Sequence, residues 1–160
     1  MKHPKCVALV FVLAFVVLFE GTAFSLDREK EFKEIGKMDL KGLAIRAKAS
    51  LEKKYPGEDW EKYGFPKFVY ISEPVQVAYK ITVKRPELLA KFPCYCFCEQ
   101  MGHKNLSYCF LKKGVVEGKF DDHASECNIC VAQAMTAFLW EEIGASEAEM
   151  QKGMKEIFGK

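Results

Sequence analysis

The sequence predicts an all-α fold, a compact bundle of about five helices around a central loop rich in cysteine and histidine. Three observations predict it. Apolar residues recur over several segments at the 3.6-residue spacing of a helix face. Good helix-capping residues (Asp39, Ser72 and Ser146) stand just ahead of those segments. No alternating run of apolar and polar residues exceeds three or four positions, so no substantial strand is expected.

Taken in order, Met1 to Lys5 is a short basic start, and Cys6 to Phe19 is unbroken and apolar. That run is shorter than the roughly 20 residues that span a hydrocarbon core. Ala23-Phe24-Ser25 offers small residues at the spacing a signal peptidase reads. Residues 1–25 are therefore expected to be a secretory signal cleaved near Ser25, which makes the product secreted or periplasmic. An uncleaved anchor is the alternative, because Glu20 is the single charge between the run and Asp27. A lipid anchor is not expected, since Cys6 precedes the apolar run instead of following it. No later stretch could cross a membrane, so the mature chain is expected to carry no span.

Residues 26–72 read as a helical and aromatic-loop region. Asp27 to Lys37 is charged, with Phe32 and Ile35 as its apolar points, and predicts a weaker helix. Leu40, Leu43, Ala44, Ala47 and Leu51 form a stripe after Asp39 and predict a helix that stops before Tyr55-Pro56-Gly57. Residues 55–72 gather Trp60, Tyr63, Phe65, Phe68, Val69, Tyr70 and Ile71 into a loop expected to pack on the core.

Residues 73–160 read as the second region. Ser72-Glu73-Pro74 opens a helix whose inner stripe is Val75, Ala78, Tyr79 and Thr82. Arg85 precedes a proline, which disfavours helix there, and a short helix from Pro86 to Lys91 follows. Cys127 to Ile143 predicts a strongly apolar helix closed by Gly144. Ser146 and Glu149 make a capping box for a last helix carrying Met150, Met154, Ile157 and Phe158.

Composition limits the function. With 160 residues, 49% apolar and 29% charged, the chain is globular, so disorder and low-complexity architectures are excluded. Its 24 basic and 22 acidic residues give a net charge of +2, too balanced to call for a nucleic acid partner.

The chemistry is concentrated. Cys94, Cys96, Cys98, His103, Cys109, His123, Cys127 and Cys130 fall within 94–130, and the rest of the mature chain contains no cysteine or histidine. Disulfide scaffolds spread their cysteines through the fold, whereas one dense stretch argues for one shared site. In an extended chain, alternate side chains share a face, so Cys94, Cys96 and Cys98 would project together. A helix starting near Asp122 would put His123, Cys127 and Cys130 at i, i+4 and i+7, again on one face. These eight donors are the thiolates and imidazoles that Zn(II), Cu(I) and, less favoured here, iron–sulfur clusters select. The primary expectation is a metal site, either for metal handling or as a structural brace.

Other readings stay open. Six cysteines in an oxidising compartment can form three disulfides in 15 pairings, making a stapled interaction module. The aromatic loop Trp60–Ile71 would then face an extracytoplasmic protein partner. Cys127-Asn128-Ile129-Cys130 at a helix start fits a thiol–disulfide enzyme, but no βαβ unit precedes it. Val131 stands where haem attachment would need histidine. Asp121-Asp122-His123 gives hydrolysis little support. One of those aspartates is expected to cap a helix, or to accept a hydrogen bond from a ligand imidazole.

The order Ala78-Tyr79, Pro86-Glu87-Leu88-Leu89, Pro93-Cys94-Tyr95-Cys96-Phe97-Cys98, Gly102-His103, Cys109-Phe110, Asp122-His123-Ala124 and Cys127-x-x-Cys130 resembles the bacterial family named for its PCYCGC motif. That family contains secreted proteins and lipoproteins without an assigned activity. The resemblance runs from Val75 to the C-terminus and implies an extracytoplasmic location and a site shared by these cysteines and histidines. It implies no reaction. Phe97 stands where the motif has glycine, Asp121-Asp122 where Asp-Pro is expected, and the family's common lipid-anchor cysteine is absent.

Overall fold

The computed structural model describes residues 26–114, 116 and 120–159. The signal segment expected over residues 1–25 lies outside the described residues. Helical backbone runs through residues 26–35 (α1). It is followed by α2 (Leu40–Lys54), α3 (Glu73–Lys84), α4 (Pro86–Leu89), α5 (Asn128–Glu142) and α6 (Glu147–Phe158). Short 3-10 turns fill the connections, and among the described residues the one β feature is an isolated antiparallel bridge, Leu111 to Phe120. The fold is all-α, as the periodicity predicts. Among the described residues no helix is long and apolar enough to cross a membrane.

The caps form where the sequence puts them. Asp39 accepts from the Gly42 N–H at 2.7 Å, and Ser72 accepts from the Val75 N–H at 3.5 Å. Ser146 and Glu149 close a full capping box at the start of α6. Helix α2 ends at Lys54, one residue before Tyr55-Pro56-Gly57.

Helix α5 is the axis of the molecule and packs against α2, α3 and α6. Val131, Ala134, Met135, Ala137, Phe138, Leu139 and Trp140 are all buried, so it presents apolar surface on every side. Leu43, Ala47 and Leu51 of α2 join Val75, Ala78, Tyr79 and Ile81 of α3 in the same core. Trp140 stacks on Phe32 with ring centroids 4.1 Å apart, and its indole N–H donates to the Phe32 carbonyl at 2.9 Å, which pins α1 to α5. Most of the aromatic loop lies down on this core: Val69 is buried, and Trp60, Phe65 and Phe68 are half-buried against it, whereas Tyr70 and Ile71, expected to pack with them, stay exposed.

Two boundaries differ from expectation. The short helix after Arg85 ends at Leu89 instead of Lys91, and tighter turns carry the chain to Phe92. Pro93 restricts Phe92 and so discourages another helical turn. The helix expected over Cys127 to Ile143 is seen as Asn128–Glu142, and the earlier start near Asp122 that would have put His123 on its face does not form. His123–Glu126 is a 3-10 turn, Cys127 is extended (φ −122°, ψ 100°), and α5 begins only at Asn128. The cause is local. Asp121 accepts from the His123 N–H at 3.0 Å, and the Ser125 hydroxyl donates to the Asp122 carbonyl at 2.7 Å. Such side-chain bonds compete with the α-helical pattern and favour a short turn.

Candidate metal centre

Three stretches of chain meet at the N-terminal end of α5. The first is Pro93–Cys98. Gln133, fully buried on α5, holds it at two points: its amide donates to the Pro93 carbonyl at 3.2 Å and accepts from the Tyr95 N–H at 3.1 Å. Residues 95–97 then turn instead of extending, with Phe97 at φ 62° in the left-handed region. Cys94, Cys96 and Cys98 do project to a common point, but a turn brings them there, not strand alternation.

The second stretch runs from Cys98 to Cys109. A 3-10 turn over Cys98–Met101 and Gly102 at φ 85° bring the chain round, and the His103 N–H reaches the Cys98 carbonyl at 3.4 Å. Asn105 caps the next turn, Leu106–Cys109, accepting from the Ser107 N–H at 3.1 Å. That turn is fixed to the first stretch by the Leu106 N–H, which donates to the Phe92 carbonyl at 2.9 Å. The third stretch carries His123 and Cys130. Tyr79, buried on α3, donates its hydroxyl to the Asp121 carbonyl at 2.5 Å and so positions the His123 turn.

The donors meet closely. Cys94 Sγ lies 3.1 Å from Cys96 Sγ and 3.5 Å from Cys130 Sγ, and Cys96 Sγ lies 3.4 Å from Cys130 Sγ. Cys98 and Cys109 are 3.4 Å apart. His103 Nδ1 is 3.4 Å from Cys109 Sγ, and His123 Nε2 is 3.5 Å from Cys96 Sγ. The two imidazoles meet edge to face, 5.1 Å between centroids. Sulfurs at about 2.3 Å from a tetrahedral ion are separated by about 3.8 Å, so these spacings are close to those of ligands on one ion.

Three overlapping tetrads have all their donor atoms within 4.8 Å of one another. They are Cys94, Cys96, Cys98 and Cys109; then Cys96, Cys109, His123 and Cys130; then Cys98, His103, Cys109 and His123. Each could hold a metal ion. Cys127 belongs to none of them. As the residue just before α5, its half-buried thiol sits beside the cluster, one helical step from Cys130. The six cysteines between 94 and 130 are free thiols.

Cys94, Cys98, Cys109 and Cys130 are buried, while Cys96 and both histidines are half-buried and form the wet edge. The neighbouring Cys109 and Cys130 thiols stabilise a Cys94 thiolate and hold its pKa well below the ordinary range. Burial, and then that same Cys94 charge, push the Cys96 thiol up. The Cys130 thiol and the first amides of α5 pull Cys127 down.

The sequence reading missed Gln133. Its signal was a lone amide in an otherwise apolar helix, three residues after Cys130. Of the two roles open to the aspartates, a helix cap is not seen: Asp122 heads the 3-10 turn without a side-chain cap bond, Cys127 heads α5, and Asp121 accepts from the His123 N–H in a local turn.

Fold and cluster together define an all-helical, cysteine-rich protein whose buried thiols and half-buried imidazoles could hold a metal ion. The chain belongs to the family described as "Protein of unknown function with PCYCGC motif", whose profile matches residues 56–160. No curated protein and no solved structure matches the chain.

Proposed function

We propose that this chain is an extracytoplasmic metal-handling protein that takes a soft or borderline ion, Cu(I) or Zn(II), into its cysteine and histidine cluster. The observation that carries this reading is the convergence of seven sulfur and nitrogen donors, four of them buried thiols, into tetrads spanning no more than 4.8 Å. A balanced surface charge and the absence of a hydrolytic constellation among the described residues leave the cluster as the most distinctive chemistry. Cargo is favoured over a structural brace because most of the core that Cys94, Cys98, Cys109 and Cys130 join is built by residues that are not donors, such as Leu43, Ala47 and Trp140. The half-buried edge of Cys96, His103 and His123 also gives an ion a way in and out.

A chelator is expected to strip the ion while helical circular dichroism persists. Collapse of the helices would make the metal structural instead. The rival disulfide reading draws on the short Cys98–Cys109 and Cys94–Cys130 separations, 3.4 and 3.5 Å, which oxidation could close. Elemental analysis and intact mass before and after alkylation, on protein from its native compartment, separate the two. Stoichiometric metal with six alkylatable thiols after chelation supports handling. A mass lower by six hydrogens and no metal overturns it. On the same sample, visible absorption would mean an iron–sulfur cluster, near-ultraviolet bands alone Cu(I) thiolate, and a featureless spectrum zinc.

A further inference from the structure

We infer that the centre is built for two ions bridged by the Cys109 thiolate, an inference that rests on the metal-binding reading above. The first reason is the number of donors. A tetrahedral ion takes four ligands, and seven donors are gathered here, so one ion would leave three of them unused in a largely buried space. Two tetrahedral ions that share one bridging ligand use seven.

The second reason is how the donors divide. Cys98, His103, Cys109 and His123 form one of the tetrads within 4.8 Å. The three remaining donors pair with the same bridge. Cys94, Cys96 and Cys130 lie 3.1 to 3.5 Å from one another. Each of them is also within 4.8 Å of Cys109 through the other two tetrads. The set Cys94, Cys96, Cys109 and Cys130 is thus a second, all-sulfur site. The two sites have a single atom in common, Cys109 Sγ, and Cys109 is the residue that all three tetrads contain. It is wholly buried, so its lone pairs face cluster atoms instead of water.

The third reason is charge. Five thiolates and two neutral imidazoles nearly balance two divalent ions, leaving one negative charge on the filled centre. A single divalent ion would leave three negative charges, or force buried thiols to keep their protons. The ligand class this favours is a pair of divalent thiophilic ions such as zinc. The sites are also unequal: three thiols of the all-sulfur site are buried, whereas the mixed site is rimmed by two half-buried imidazoles.

Titration of the reduced full-length protein with Zn(II), read by native mass spectrometry, tests this. Two ions per chain at saturation are expected. A plateau at one ion overturns the bridged pair while leaving metal handling intact, and no bound ion removes both readings. Variants then test the division. His103→Ala is expected to weaken the second ion by about tenfold or more and spare the first, and Cys130→Ser the reverse. Cys109→Ser should weaken both. His103 is half-buried at the edge, so His103→Ala is the variant least prone to misfold, and helical circular dichroism checks every variant. If His103→Ala and Cys130→Ser weaken both ions equally while folded, the cluster is one undivided cage and the two-site assignment fails.

Discussion

At the scale of single residues, Phe97 puts a side chain where the motif has glycine, in a backbone conformation that suits glycine. Its φ of 62° is a conformation that glycine adopts freely and that costs an L-residue about 1–2 kcal/mol. The phenyl ring is 78% exposed, so little packing offsets that cost. Phe97→Gly is expected to raise the thermal midpoint by the equivalent of up to about 1 kcal/mol, since glycine's greater unfolded freedom cancels part of the gain. Phe97→Val should lower the midpoint, because a β-branched residue tolerates this region poorly. Gln133 acts on the same loop through its two hydrogen bonds. Gln133→Ala should cost about 1–3 kcal/mol in urea unfolding and weaken zinc in a competition assay by about 10–100-fold, with helicity retained. The cysteines and histidines were legible as a group because their density in 94–130 has no packing explanation. Gln133 was not legible as their support: a polar residue inside an apolar helix reads the same in sequence whatever loop it holds.

At the scale of elements, close approach decides more than propensity. Alanine in a helix interior is ordinarily better than glycine by about 1 kcal/mol. At Gly153 the sign should reverse, because an added Cβ would lie 2.6 Å from the Trp140 ring and 3.0 Å from Phe32. Gly153→Ala is expected to destabilise by about 1–3 kcal/mol in chemical denaturation, through displacement of the stacked pair that ties α1 to α5. Arg28 reaches across from α1 to Glu149 of α6 at 2.7 Å and, with the Ser146 cap, holds that carboxylate near pKa 2 against an ordinary 4.5. A carboxylate depressed in the folded state stabilises fully above about 4.5 and loses that contribution as pH falls through about 2. Amide protection factors in residues 26–35, with the intrinsic pH dependence of exchange divided out, should therefore fall over that window in the native protein and stay flat in Glu149→Gln. The effect should be small and salt-sensitive, since the pair is partly exposed. Helix starts were legible from Asp39, Ser72 and Ser146, whose caps are short-range chemistry. The start of α5 was legible to within one residue, but the 3-10 turn ahead of it was not, because counting 3.6 residues from Asp122 takes no account of hydrogen bonds that Asp121 and Ser125 make to nearby backbone.

At the scale of the whole molecule, the thiol cluster is continuous with the apolar core, since Cys94, Cys98, Cys109 and Cys130 are packed into it, with Cys130 near the start of α5 and Trp140 near its end. The all-α class was legible from periodicity and caps, yet the central role of α5 was not. A helix apolar on every side has no amphipathic direction to say which face meets which neighbour. On the metal-binding reading, the many core residues that are not donors, such as Leu43, Ala47 and Trp140, predict a folded apo protein whose midpoint rises with free zinc. The rise is equivalent to about 2.7 kcal/mol when the free ion exceeds Kd a hundredfold. Differential scanning calorimetry across a zinc series checks this, and a midpoint indifferent to zinc would count against the reading. The half-buried rim has a kinetic meaning under the same reading. An acceptor's own thiol or imidazole can join the ion at Cys96 or a histidine before the deeper sulfurs let go. Delivery would then proceed one bond at a time through a shared intermediate, so its speed would scale with acceptor concentration and outrun spontaneous release into water.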